Sequence, residues 1–262
     1  MKKNKSLFFY LFLSSGILIL AFIVLPLLQM IISPSYEMMK FTIMDRDVLR
    51  SMWLSIYTAL SASLIAFIFG TPLAYLLARS DFRGKRLVES IIDLPIVIPH
   101  PVVGIAILSI VGKNHWFGQV LADLGIRIMG TPAGIITVLT FVGLPFYINT
   151  VKDGFQDISP RLENVSRSLG ASMAGTFFRV TFPLAKRSML TGSLMCTARA
   201  ISEFGAVVVV AYHPMIAPVM LYERFESYGL KYSQPISVWL ILICLSLFLV
   251  LRIVTLDKGV KA

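Results

Sequence analysis

The chain has 262 residues, 56% of them hydrophobic and only 15% charged, with a mean hydropathy of +0.80 and a formal net charge of +10. Soluble domains carry about 25% charged residues, so this composition belongs in a bilayer and excludes an ordinary soluble enzyme or binding module. The basic residues bracket apolar runs, which turns their excess toward membrane topology and away from nucleic-acid binding.

Crossing about 30 Å of hydrocarbon takes roughly 20 apolar residues. Six runs qualify, at 8–32, 53–78, 87–112, 132–151, 188–212 and 235–256. None alternates like a barrel strand, so the expectation is an all-α integral membrane protein of six transmembrane helices in a single membrane domain, 1–262. The first run follows Lys2, Lys3 and Lys5, is too long for a signal peptide and has no small-residue cleavage site after it. It is read as a retained span. In the second run Ala62, Ala66, Gly70, Ala74 and Ala78 recur every fourth residue, a ridge that lets helix backbones approach closely in lipid. Tight packing is the expected use of this ridge, in preference to a pore lining, and Pro72 within it should kink the span.

The third run contains Asp93, Pro95, Pro99, His100 and Pro101. Three prolines in seven residues cannot make a regular helix. Broken backbone at membrane depth is tolerated where it is buried in protein or lines a wet cavity. His100 is therefore either a pathway group or, the commoner arrangement, a residue that satisfies carbonyls freed by its prolines, and Asp93 is a second pathway candidate.

The polar stretch 152–187 has the grammar of two short helices. Ser159 can cap the first, with Pro160 at its first position. Leu162, Val165 and Leu169 then share one face, and Gly170 supplies a stop. Ser172 can cap the second helix, which carries Phe177, Phe178 and Val180 and should end at Pro183. An amphipathic knob of this kind suits a soluble partner. Leu162, Val165, Leu169 and Gly170 form its expected docking face, with Arg161 and Arg167 at the rim.

The fifth run carries Arg199 and Glu203, four apart and so able to pair on one helical face. Charges at membrane depth are costly and usually mark a path or fix an interface. Here both roles stand: Arg199 drawing an anion with Glu203 holding it in place, or a structural ion pair. Gly205 just beyond offers close packing and flexibility.

Counting Lys and Arg orients the chain. The amino terminus, 79–86, 152–187 and the carboxyl end from Arg252 carry 16, whereas 33–52, 113–131 and 213–234 carry 7. Both termini and the knob are therefore expected on the cytoplasmic side. Cys196 and Cys244 both fall within spans and are read as reduced core residues. No catalytic constellation, metal-ligand spacing or GxxxxGK[ST] phosphate loop occurs in the sequence, so any driving nucleotide has to sit on another chain. No repeat relates the first three runs to the last three, which counts against an inverted-repeat secondary transporter. Six helices enclose little space, and a homodimer follows as the natural guess.

Gly170 is followed by nine residues and then Val180-Thr181-Phe182-Pro183. That spacing resembles the cytoplasmic motif of binding-protein-dependent ABC importer permeases, EAA, three residues, Gly, nine residues, Ile-x-Leu-Pro. Asn164, Val165 and Ser166 stand where Glu-Ala-Ala is expected, with Glu163 one residue early. Residues 198–206, ARAISEFGA, and LPIVIPHPVVG in the third run look like the molybdate, tungstate and sulfate branch, and the resemblance covers about 50–252. It implies a type I importer permease fold and a homodimer that binds no cofactor itself. Two cytoplasmic ATPase subunits would carry ATP and Mg, and an external binding protein would deliver a tetrahedral oxyanion. The helices within 160–183 would be coupling helices, adding Glu163 and Pro183 to the docking set. The rival reading is a self-contained anion transporter or channel with no ATPase; an intramembrane enzyme is a third, disfavoured by the lack of a catalytic cluster.

Overall fold

The computed structural model describes residues 7–112, 115–125 and 127–256, and among these there is no strand. The helices in order are α1 (Leu7–Ile32), α2 (Tyr36–Met44), α3 (Arg46–Ile65), α4 (Thr71–Arg79), α5 (Lys85–Val97), α6 (His100–Val111) and α7 (Trp116–Asp123). They continue with α8 (Pro132–Gln156), α9 (Pro160–Ser168), α10 (Met173–Thr176), α11 (Phe182–Ile201), α12 (Gly205–Val210), α13 (Ala217–Tyr228) and α14 (Leu230–Leu256). The lysines at 2, 3 and 5 and those of the carboxyl tail lie outside the described residues.

A π-helical turn, Ala66–Gly70, joins α3 to α4, so that 46–79 forms one continuous helix. The kink expected at Pro72 is taken up there. Proline lacks an N–H and its ring collides with the carbonyl four residues back, and a wider turn relieves both conflicts. The small-residue ridge is tight packing: Ala62, Ala66 and Ala74 are fully buried. At Gly70 any Cβ would come within 2.8 Å of the Tyr147 ring on α8. The Tyr147 hydroxyl lies 2.7 Å from that of Thr71, closing the same contact with a hydrogen bond.

Among the described residues four helices, Phe8–Ile32, Arg46–Arg79, Pro132–Gln156 and Leu230–Leu247, are long and apolar enough to cross a membrane. The pair Lys85–Val97 and His100–Val111, bent by 114°, can serve as a fifth, broken span. The run expected as one span at 188–212 is not one helix. There α11 stops at Ile201, the chain turns at Ser202–Phe204, and α12 is a separate short helix. The reason is location: α11 packs against α3, α8 and α14. A helix surrounded by protein can carry polar residues that bond within the bundle, as where Ser63 donates to the Ser193 carbonyl at 3.0 Å.

The bundle has two distinct ends. At one, Arg79 at the end of α4 pairs with Glu163 of α9 (2.9 Å), and Lys152 near the end of α8 pairs with Glu89 of α5 (3.0 Å). At the other, Arg224 of α13 pairs with Asp45 at 3.1 Å and Trp239 donates to the Met39 carbonyl at 3.2 Å. The short helices α2 and α13 belong to that second end and fall outside the six apolar runs.

Candidate functional site

The knob follows α8. Ser159 precedes α9 but its side chain makes no capping bond, contrary to the sequence reading, while Pro160 does take the first helical position. The helix ends as expected at Gly170, whose φ of 92° few other residues tolerate. The N–H of Gly170 reaches the Arg167 carbonyl at 3.0 Å and that of Ala171 reaches Ser166 at 3.2 Å, a Schellman closure. Ser172 caps the next helix by accepting the Gly175 N–H at 3.0 Å. That helix does not end at Pro183. A second π-helical turn, Phe177–Thr181, carries it unbroken from α10 into α11, the Phe182 N–H reaching back five residues to the Phe177 carbonyl. As at Pro72, the widened turn absorbs the proline, leaving Pro183 at the exposed root of α11.

The α9 helix is inverted relative to an ordinary packed amphipathic helix. Its apolar residues face outward, Leu162 48%, Val165 58% and Leu169 83% exposed. Arg161, Asn164 and Arg167 are exposed beside them, as are Met173 and Phe178 on the second helix. The residue turned inward is Glu163, only 9% exposed. It therefore leaves the docking face to which the motif assigned it, because its carboxylate is consumed by bonds inside the protein. Arg79 Nε donates to it at 3.0 Å, Thr181 at 3.0 Å and the Tyr75 hydroxyl at 3.2 Å. One turn on, the Ser166 and Thr176 hydroxyls meet at 3.1 Å.

The second region lies where two helices break side by side. The α5–α6 break at Ile98–Pro99 faces the α11–α12 break at Ser202–Phe204, since α6 packs along α12. Gly205 permits this approach: a Cβ there would lie 3.0 Å from His100 Cβ. Arg199 donates to Glu203 at 2.7 Å, and its Nη2 lies 2.9 Å from a ring nitrogen of His100. The His100 Nδ1 is itself 3.3 Å from Glu203. Glu203, 1% exposed, also accepts the Ala206 N–H at 2.9 Å, closing the start of α12. His100 thus joins the charged pair, hydrogen-bonding to Arg199 and lying beside Glu203 instead of meeting the carbonyls freed by its prolines. Arg199 and His100 stay partly exposed where Glu203 does not. Asp93 is apart from this cluster, accepting from Asn149 of α8 at 2.6 Å. A cavity of about 710 Å³ at the end where Arg224 pairs with Asp45, lined by Asp47, Arg50, Glu223 and Arg224 among others, holds none of the site residues expected from the sequence.

A family model described as "Binding-protein-dependent transport system inner membrane component" matches residues 70–257. The chain belongs to this family. Among its relatives, the molybdate/tungstate transport system permease protein WtpB of Pyrococcus furiosus is 42% identical over 245 residues, covering 93% of each chain. The protein of that name from Methanocaldococcus jannaschii is 41% identical, covering 93% of this chain and 95% of its own. A probable sulfate transport system permease of Chlorokybus atmophyticus is 33% identical, over 88% of this chain and 82% of its own. The fold is also that of a bacterial alginate ABC transporter chain, with a TM-score of 0.75 at 15% identity, covering 97% and 96%. The chain is accordingly a multi-pass permease of ABC-importer fold, and the matched region contains both regions described above.

Within this permease, sequence reasoning missed Tyr75, Arg79, Thr181 and Asn149. Tyr75 and Arg79 are four apart at the end of the second span, a spacing that places them on one face. Their shared partner Glu163 sits 88 and 84 residues further along the chain, and no local pattern points to it.

Proposed function

We propose that this chain is the membrane subunit of an ATP-driven importer that passes a tetrahedral oxyanion, molybdate or tungstate, into the cell. Two copies form the path, each copy receiving one cytoplasmic ATPase subunit on its knob, and an external binding protein delivers the ion. ATP and Mg are held by the ATPase subunits. The knob and both termini face the cytoplasm, a reading that the Lys and Arg asymmetry supports. The names of the molybdate/tungstate relatives support the substrate class.

The observation that carries the reading is the inverted α9. Leu162, Val165 and Leu169 stand in the open while Glu163 is buried. Apolar anchors at i, i+3 and i+7 on one exposed face are the pattern by which a helix enters a groove on a partner, and the neighbouring Arg161 and Arg167 give that face a basic rim. When the ATPase subunits close on ATP, the knobs move with them and re-aim the broken helices at the centre of the bundle. Arg199 and His100, the partly exposed members of the central cluster, then present a guanidinium and an imidazole to the passing oxyanion, with Glu203 holding the guanidinium in place.

The test is a detergent pull-down of the tagged chain from native membranes with mass spectrometry of its partners. Recovery of a P-loop ATPase at about equal stoichiometry is expected. A chain recovered alone that moves molybdate into liposomes without ATP would overturn the proposal in favour of a self-contained transporter.

A further inference from the structure

Exposed apolar residues explain how a partner could grip the knob, but a grip moves the bundle only if the knob is rigidly joined to it. The outward turn of Leu162, Val165 and Leu169 leaves α9 almost no apolar burial with which to hold itself in place. Its inner seam is polar instead, and short. Glu163 reaches Tyr75 and Arg79 at the end of the 46–79 helix and Thr181 in the π-helical turn at the root of α11. The same Arg79 spends its Nη2 on the Ile158 carbonyl, at 2.9 Å, fixing the chain where it leaves α8. One carboxylate and its arginine therefore tie together α9 and the ends of three long helices. Directional bonds to a planar guanidinium transmit displacement without the slip that an apolar contact allows.

We propose that Glu163 is a positioning residue for coupling. It pins α9 to the 46–79 helix and to the root of α11, so that movement imposed on the knob by the ATPase reaches both helices as one displacement. The inference rests on the importer reading and adds to it the route by which the stroke enters the membrane domain. It also accounts for a glutamate standing one position ahead of the motif: Asn164 takes the exposed place, and Glu163 turns inward.

The experiment uses the full complex in lipid nanodiscs, with its external binding protein and sodium molybdate as the probe. Glu163→Gln keeps the size of the side chain but removes the charge that holds Arg79 and turns one of the two acceptor oxygens into a donor. The variant should still recover ATPase subunits at wild-type stoichiometry, yet lose the stimulation of ATP hydrolysis by molybdate-loaded binding protein, its stimulated-to-unstimulated ratio falling to near one. Thr181→Val, nearly isosteric, removes one bond of the same node and should lower that ratio partway. The double variant should do no worse than Glu163→Gln alone, because residues acting through one node are not additive. Full stimulation in Glu163→Gln would overturn the inference and leave the importer reading standing. So would a Glu163→Gln chain that fails to assemble while Thr181→Val assembles with full stimulation, since the carboxylate would then serve only the fold. A wild-type chain that recovers no ATPase would instead overturn the importer reading beneath it.

Discussion

Each of the two regions is built on a glutamate that holds an arginine, and the two pairs do opposite jobs. Glu203 and Arg199 are four residues apart on one turn of chain. Their bond is local, and what it stabilises is an interruption, the end of α11 and the start of α12. Glu163 and Arg79 are 84 residues apart, and their bond stabilises a junction between a peripheral helix and the bundle. The first pair closes a break in the backbone that the proposed path would use, while the second joins separate helices at the proposed coupling node. A buried ion pair adds little net stability in itself, because desolvation offsets its Coulomb gain. The contrast therefore concerns what geometry each pair enforces.

The comparison is broken most severely at Glu203. Glu203→Ala removes the counter-charge of Arg199 and the acceptor of the Ala206 N–H together, at a site 1% exposed. Removing one partner of a buried pair costs about 3–5 kcal/mol, so the purified chain should lose yield and melt well below wild type in a thermal-shift assay. A melting temperature unchanged from wild type would mean that the break at Ser202–Phe204 holds itself.

The next change separates the charge from the architecture. In the double variant Arg199→Gln with Glu203→Gln, both charges go but amide groups remain to bond each other and the start of α12. Assembly and melting should stay near wild type, since replacing both partners of a pair is close to neutral. A hydrogen bond to a charged group contributes about 1.5–3 kcal/mol, so molybdate uptake should fall roughly tenfold or more if the guanidinium contacts the ion. Uptake at the wild-type rate would assign the pair to structure alone.

Much of this arrangement was legible in the sequence wherever the signal is local. The i, i+4 spacing of Arg199 and Glu203, the prolines around His100, the stop at Gly170 and the cap at Ser172 all depend on residues within one or two turns. The small-residue ridge was legible too, because every-fourth-residue spacing allows few uses other than close approach. Three features escaped for a common reason. Pro72 and Pro183 read as a kink and a stop because a proline's conflict with the preceding turn is visible in sequence, whereas the π-helical turn that resolves it is not. The segment 188–212 read as one unbroken run because hydropathy does not report a turn such as Ser202–Phe204, which depends on the contacts of Glu203. Glu163 read as part of the docking face because its partners lie on other helices. That Leu162, Val165 and Leu169 share one face was legible, but which side of α9 the carboxylate takes was decided by Arg79 and Thr181.

The mildest test touches the knob from its open side. Gly170 has a φ of 92° and no atom within 4 Å of where a Cβ would stand, so a side chain there meets no neighbour within this chain. Gly170→Leu is penalised through the backbone alone, by about 1 kcal/mol for holding a leucine in the left-handed region. Melting should therefore move only a few degrees. The new side chain nevertheless projects beside Leu169, the most exposed of the three apolar residues on that face, and strains the turn that sets the angle between α9 and α10. Recovery of the ATPase subunit in the pull-down should fall while insertion and the Glu163–Arg79 pin stay intact. That result would separate the outer, gripping face of α9 from its inner, pinned face. Undiminished recovery and uptake would show instead that the partner does not read the angle at Gly170, and would move the docking face onto the second helix, around Met173 and Phe178.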